Sequence, residues 1–270
     1  MPDPLAAQPP SRHPDPQTRR DPEKAMIRAH LATFPPRAAV LERTLASILP
    51  QVDRLFLCLN QHDAVPAAIA ADDRITAIIP DRDLKDAGKF AFVPGDDDIV
   101  FTIDDDILYP PDYVARTVAA FDLLPGEDHV LGYLGNAWMA KGRDGVTGWK
   151  TFMYHKRAPH VVKVDVLGTG TACMRGRHLP RLDEIADAAG FVDLRHARLH
   201  TQAGRRMWSL PRAEDWMQSL MTEELKATAL FTTVALARDA AMTQEMHRML
   251  AERGPHSGLQ LAQLRNRGLL

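Results

Sequence analysis

An apolar run, Ile99-Val100-Phe101-Thr102-Ile103, passes without a break into Asp104-Asp105-Asp106, and this junction restricts the chain more than any other stretch. Apolar and β-branched residues with no polar alternation make a strand covered on both faces, as in the interior of an α/β sheet. Three adjacent carboxylates repel one another and are costly to bury. A strand that ends in them has to deliver them to the carboxyl edge of its sheet, which is where open α/β sheets bind ligands. Oxygen donors so placed suit Mg²⁺ or Mn²⁺, which takes one or two protein carboxylates and completes its shell with phosphate oxygens. The junction therefore reads as a metal site for a diphosphate-bearing substrate; a solvated turn capping the next helix is the plain alternative. Tyr109-Pro110-Pro111-Asp112-Tyr113 then turns the chain into that helix.

With 270 residues, the chain is long enough for one large α/β domain or one domain with extensions. Hydrophobic residues at 45% and charged residues at 25% are ordinary for a soluble globular protein. A net charge of −2 gives no global attraction to nucleic acid or to a membrane surface. Cys58 and Cys173 each sit in an apolar strand-like run and read as reduced core residues. No stretch reaches the roughly 18 apolar residues of a membrane-spanning helix, and the first residues have no secretory apolar core. A cytoplasmic protein with no transmembrane segment is the expectation.

Residues 1–24 are rich in proline and charge and read as a disordered tail. Residues 26–32 form a first strand, broken by Thr33-Phe34-Pro35-Pro36-Arg37. Leu41, Leu45, Ile48 and Leu49 recur at helical spacing and define one apolar face, which Pro50 ends. Strands at 55–59 and 75–79 flank a short helix at 65–71, so the chain opens β-α-β-α-β. The economical topology is a parallel, Rossmann-like start. No G-x-G-x-x-G follows the first strand and no G-x-x-x-x-G-K-[ST] occurs anywhere. The phosphates need another holder, and a metal at Asp104 to Asp106 supplies one.

The charged residues 81–90 read as a surface loop at the same edge, where Asp86 and Lys89 can meet a base, a ribose or a phosphate and Gly88 admits close backbone approach. A solvated loop with internal ion pairs is the alternative. A helix at 113–123 and a strand at 130–134 follow. Residues 140–160 read as a flap or an irregular excursion. A strand at 161–167 leads into Gly168-Thr169-Gly170, a tight passage beside a ligand or a bulge. Residues 212–216 open a helix running through Leu225, and 230–236 is the last strand. From Asp239 the pattern is helical, with Met242, Met246, Met249 and Leu250 forming a stripe suited to packing or self-association. Gly254-Pro255 breaks it, and the final fifteen residues read as peripheral. The domain plan is thus a tail at 1–24, an α/β domain at 25–238 and a helical extension at 239–270.

Taken in order, Ala32 to Arg37, Asn60, Asp86-Ala87-Gly88-Lys89-Phe90, Asp104 to Asp106, Gly168-Thr169-Gly170 and Glu214-Asp215-Trp216 resemble the motifs of the GT-A fold glycosyltransferases, in particular the bacterial family-2-like enzymes that build surface polysaccharides. The resemblance covers residues 26–238. It implies a GT-A, Rossmann-like fold with a mixed, mostly parallel central sheet flanked by helices. It implies a nucleotide-diphosphate sugar donor held by Thr33, Pro35, Arg37, Asn60, Asp86, Lys89, Asp104 and Asp105, with Asp104 and Asp106 on Mn²⁺ or Mg²⁺. It also implies inverting transfer to a glycan or lipid-linked acceptor, Asp215 removing the acceptor proton, with adjacent Glu214 as the competing base. The chain lacks the Gln-x-x-Arg-Trp signature of processive synthases, which argues for transfer of one or a few sugars. His196 and His200 stand at i, i+4 and are formally able to add a metal ligand, although a pair in an Arg-rich stretch more often lies on the surface.

Three other readings compete. A haloacid-dehalogenase-like phosphatase also ends a strand in Asp-x-Asp, but it wants the motif near its N-terminus. A sugar nucleotidyltransferase uses metal-bound carboxylates with a Gly-rich basic loop after the first strand, where this chain has prolines. A catalytically inactive nucleotide-sugar-binding module, with or without self-association, is the non-enzymatic reading.

Overall fold

The computed structural model describes residues 25–141, 146–227 and 240–270; the expected tail at 1–24 and the strand expected at 230–236 lie outside the described residues. The opening run is β1 (Ile27–Thr33), α1 (Ala38–Ile48), β2 (Arg54–Leu59), α2 (Ala67–Ala70) and β3 (Ile75–Ile78). Next come β4 (Ile99–Ile103), β5 (Ile107–Leu108), α3 (Tyr113–Phe121), β6 (His129–Gly132), β7 (Gly135–Lys141) and β8 (Val146–Phe152). They are followed by β9 (Val162–Val164), β10 (Val166–Leu167), β11 (Thr171–Arg175), α4 (Leu182–Ile185), α5 (Val192–Gln202) and β12 (Arg206–Ser209). The described chain closes with β13 (Gln218–Ser219), α6 (Glu223–Lys226), α7 (Ala240–Glu252) and α8 (Leu261–Asn266).

The eight-stranded central sheet runs β3-β2-β1-β4-β11-β6-β12-β9. Pairing is parallel from β3 through β4 and again between β6 and β12; β11 and β9 run antiparallel to their neighbours. This is the expected α/β class, a mixed and mostly parallel sheet flanked by helices. Strand order reverses between β1 and β4, so their carboxyl ends open a crevice at the place where such sheets take ligands.

Both faces of the sheet are covered. On one, α1, α3 and α8 pack over Leu31, Leu57, Phe101, Ile103 and Trp208. On the other, Ala197 of α5 and Met249 of α7 join Val130, Ala172, Met174 and Met207. Neighbouring residues of β12 serve opposite cores, Met207 one and Trp208 the other, because side chains alternate along a strand. That double cover explains the unbroken apolar runs. Each fully buried large side chain contributes about 1.5–3 kcal/mol. Cys58 and Cys173 are free and buried, as expected.

Several expectations are corrected. Residues 85–90 form a 3₁₀ turn with Ala87, Gly88, Lys89 and Phe90 buried, rather than an exposed loop. A Cβ on Gly88 would lie 2.6 Å from Cys58 Sγ, so this glycine lets the turn pack on β2 and leaves no gap for a ligand. Residues 135–141 and 146–152 are not irregular: β7 and β8 pair antiparallel, and β7 pairs with β10, in a separate three-stranded sheet. The strand expected at 161–167 is split at Asp165, β9 joining the main sheet and β10 the three-stranded one. No helix starts at residue 212; Asp215 has φ +51°, and Gln218 and Ser219 pair with Leu108 and Ile107. The closing residues are not peripheral, since Leu261 and Leu264 belong to the main core.

Candidate active site at the carboxyl edge of the central strand

β4 delivers Asp104 to Asp106 into the crevice between β1 and β11. The turn is braced by Tyr109, whose hydroxyl accepts from the Asp104 N–H (2.9 Å) and donates to the Gly170 carbonyl (2.7 Å). Asp104 pairs with the buried Lys89 ammonium. A Cβ on Gly170 would stand 1.9 Å from Asp104 Oδ2, so only glycine lets the 168–170 passage come this close.

From Asp104 the polar contacts continue. Lys89 Nζ lies 3.5 Å from Thr169 Oγ1, and Thr169 gives both its N–H (2.8 Å) and its hydroxyl (2.7 Å) to Oδ1 of Asp193, in the first turn of α5. Asp86 accepts the Gly190 N–H at 2.6 Å and a second backbone hydrogen bond from Val192, which fixes the entry into α5. Burial works against the Lys89 charge, yet the carboxylates of Asp104, Asp193 and Asp86 raise its pKa above the ordinary lysine value. Burial pushes Asp86 up to about 6, and it raises Asp193 despite the two Thr169 bonds.

Asp105 and Asp106 have different fates. Asp105 turns inward, accepts from Thr33 Oγ1 at 2.7 Å and has Arg37 at 3.8 Å; burial raises it to about 7. Asp106 accepts from Arg37 at 2.7 Å, and its pKa is raised by burial and then by the charge of Asp104. Asp104 and Asp106 are therefore mutually repelling oxygen donors at one edge, which fits Mg²⁺ or Mn²⁺. Among the described residues no group of three His, Cys, Asp or Glu side chains is placed to hold a metal alone.

The other expected residues divide. Thr33, Arg37, Lys89, Asp104, Asp105 and Asp106 are brought together. Pro35 opens the short turn that carries Arg37 inward. Asn60 faces the protein: its side chain accepts from Leu84 N–H and donates to the Lys85 carbonyl, tying down the loop before Lys89. Asp86 likewise holds backbone. Asp215 is exposed on a separate loop, its N–H donated to the His155 carbonyl at 2.8 Å, and Glu214 pairs with Lys156. His196 and His200 are buried rather than superficial, with their Nε2 atoms 3.0 Å apart. Burial holds His196 down to about 3 and His200 well below the usual histidine range, so the pair is neutral packing.

Asp193 and Tyr109 were not among the expected site residues. The one local signal for Asp193 is an acid in the first turn of a helix opened by Gly190-Phe191-Val192.

No known family's sequence pattern matches the chain, and no curated protein matches it. Solved structures do. A 4-diphosphocytidyl-2C-methyl-D-erythritol synthase is 13% identical with a TM-score of 0.45, covering 77% of this chain and 99% of its own. A nucleotidyl transferase from Methanothermobacter thermautotroptrophicus is 14% identical with a TM-score of 0.42, covering 81% and 98%. At this level the likeness concerns the path of the chain and carries no conclusion about chemistry.

Proposed function

We propose that the chain is a metal-dependent glycosyltransferase, moving a sugar from a nucleotide-diphosphate donor to an acceptor hydroxyl with inversion. The supporting observation is the linked set Asp104, Lys89, Thr169 and Asp193 beside Asp106, where the strand order reverses. Both Thr169 hydrogen bonds land on Asp193 Oδ1, which leaves Oδ2 to take the acceptor proton as the new C–O bond forms and the sugar–phosphate bond breaks. The raised pKa of Asp193 suits general-base work. We assign the base to Asp193 in place of Asp215, which is exposed on a separate loop. Thr169 holds the carboxylate in place, and Lys89 pairs with Asp104 next to the departing diphosphate. Asp104 and Asp106 would hold Mg²⁺ or Mn²⁺, which when bound supplies Lewis-acid stabilisation of the leaving group.

The second reading is nucleotidyl transfer to a sugar phosphate. It is the sequence-level alternative that shares the carboxylate pair, and nucleotidyl transfer is named for one of the two structural neighbours. Against it, Arg37, the cation of the loop after β1, is already engaged by Asp106 and Asp105.

The products separate the two. Purified protein is incubated with Mn²⁺ and either nucleotide sugars plus acceptors or nucleoside triphosphates plus sugar 1-phosphates. Release of nucleoside diphosphate, lost in Asp106→Ala and strongly slowed in Asp193→Asn, supports glycosyl transfer. Release of pyrophosphate instead establishes the second reading. A donor that binds without turnover in the presence of acceptors favours an inactive binding module.

A further inference from the structure

A second cavity, of about 330 Å³, lies at the opposite edge of the sheet from Asp104. Arg206 begins β12 and pairs with His129, the first residue of β6. Because β6 runs the same way as β4, this end of β12 is the amino edge. The cavity is roofed by the closing segment of the chain. Gly258 and Leu259 exchange backbone hydrogen bonds with Lys163, and Leu261 donates to Val161, so this segment covers the exposed rim of β9.

Lys163, Arg205, Arg206 and Asp165 line this cavity, and the Lys163 ammonium donates to the Pro255 carbonyl. Asp165 is already engaged, its Oδ2 accepting from the Trp138 N–H and from Ser257. Among the described residues no side-chain carboxylate pairs directly with any of the three cations, while Asp165 attracts Lys163, and Asp128 and Glu184 attract Arg205, from farther off. Arg253, next to Gly254 on the wall, keeps a buried Nη1 with no hydrogen-bond partner. The carbonyl end of α5 also points this way and offsets part of the positive charge. Burial and then the neighbouring Arg206 charge work to lower the Lys163 pKa, against Asp165. Like charges brought together in a half-buried space are costly unless a counter-ion meets them. Val164, Met207, Leu264 and Leu269 complete the wall with apolar surface.

We propose that this cavity binds a small phosphate monoester, its dianion held by Lys163, Arg205 and Arg206 and its apolar body lying against Leu264 and Leu269. The volume is at the lower end of the range for small-molecule sites, about 300–1,000 Å³. The site stands apart from the proposed donor crevice and does not depend on the glycosyltransferase reading.

The test is calorimetric titration of the full chain with phenyl phosphate, in EDTA so that metal-held phosphate does not contribute. Inorganic phosphate and benzyl alcohol serve as partial probes. Saturable binding of phenyl phosphate is expected, tighter than inorganic phosphate, with none of benzyl alcohol. Arg206→Met and Lys163→Met should each weaken it about tenfold or more, since each removes a charge-assisted contact. Asp106→Ala should leave it unchanged. Where a variant fails to fold, hydrogen exchange on the natural sequence decides: phenyl phosphate should protect residues 254–267. Absence of saturable binding below about 10 mM overturns the proposal. So does protection confined to residues 84–106, or binding that Asp106→Ala abolishes and Arg206→Met retains.

Discussion

Gly170 and Asp193 show how narrowly the candidate site is specified at single residues. A methyl group at position 170 would meet Asp104 Oδ2 at 1.9 Å, so Gly170→Ala has to push the carboxylate off Lys89 or move the 168–170 passage. Under the proposed chemistry the turnover of Gly170→Ala should fall about 100-fold, because a displacement of about 1 Å is enough for that loss. Steady-state kinetics beside a melting curve would tell this from simple unfolding. Asp193→Asn keeps an oxygen for Thr169 and removes the base. Its kcat should drop by about 10²–10⁴-fold while the donor KM stays near its original value; an equal rise in KM would mean that Asp193 binds donor instead. Asp86 makes a pH prediction. Its folded pKa of about 6 lies above the ordinary carboxylate value, so between about pH 4 and 6 the folded state holds more protons than the unfolded one. Stability contributed by this group is therefore present in acid and lost as pH rises. Asp86→Asn, which can still accept the Gly190 N–H, should remove up to about 1.4 kcal/mol per pH unit of that slope. Urea melts of both proteins across this range would measure it. The Asp-x-Asp was legible because a strand and its terminal carboxylates are contiguous. Asp193 was hidden because its partner Thr169 is 24 positions away and the residues around it read as an Arg- and His-rich surface.

Between elements, the contact of α5 with α7 carries a buried carboxylate, Glu245, shared by two arginines. Glu245 of α7 is 3% exposed and accepts from Arg195 at 2.7 Å and Arg198 at 3.2 Å, and those arginines reach on to Asp187 and Glu252. The pair fastens the helix that supplies Met249 to the core onto the helix that carries Asp193. Removing one partner of a buried ion pair costs about 3–5 kcal/mol. Glu245→Ala should cost somewhat less, about 2–3 kcal/mol, because both arginines keep a second carboxylate. Denaturant unfolding would measure the loss, and a change below about 0.5 kcal/mol would show the network to be ornamental. The apolar spacing in α7 predicted its helix, but not this polar seam. The failed helix at 212–225 has a local cause too. Acidic residues and regular Met and Leu spacing imitate an amphipathic helix, while Asp215 at positive φ and the pairing of β13 with β5 force the chain to turn and extend.

Across the whole molecule, the half of the fold built from sequence-local β-α-β units was legible and the half built from distant pairings was not. β1 through β3 follow one another with short links, so periodicity and parallel connection rules suffice. β11 inserts between β4 and β6, β9 and β10 part company at Asp165, and residues 258–261 return to cover β9; each depends on partners far along the chain. The crevice itself is a product of the whole sheet, since β1, β4, β11 and α5 each place one part of it. Donor binding should therefore stabilise the molecule as a unit. At 100 times its dissociation constant, a ligand specific for the folded state adds about 2.7 kcal/mol. For a chain of this size, each kcal/mol raises the melting temperature by about 2–4 °C. A nucleoside diphosphate with Mn²⁺ should thus shift melting by roughly 5–10 °C. Mn²⁺ alone should give a small shift, because two carboxylates leave most of its shell to be filled by the diphosphate. In Asp106→Asn the joint shift should disappear, whereas in Asp193→Asn it should persist, because Asp193 serves the acceptor. A full shift surviving in Asp106→Asn would place the nucleotide away from the end of β4, and with it the proposed chemistry.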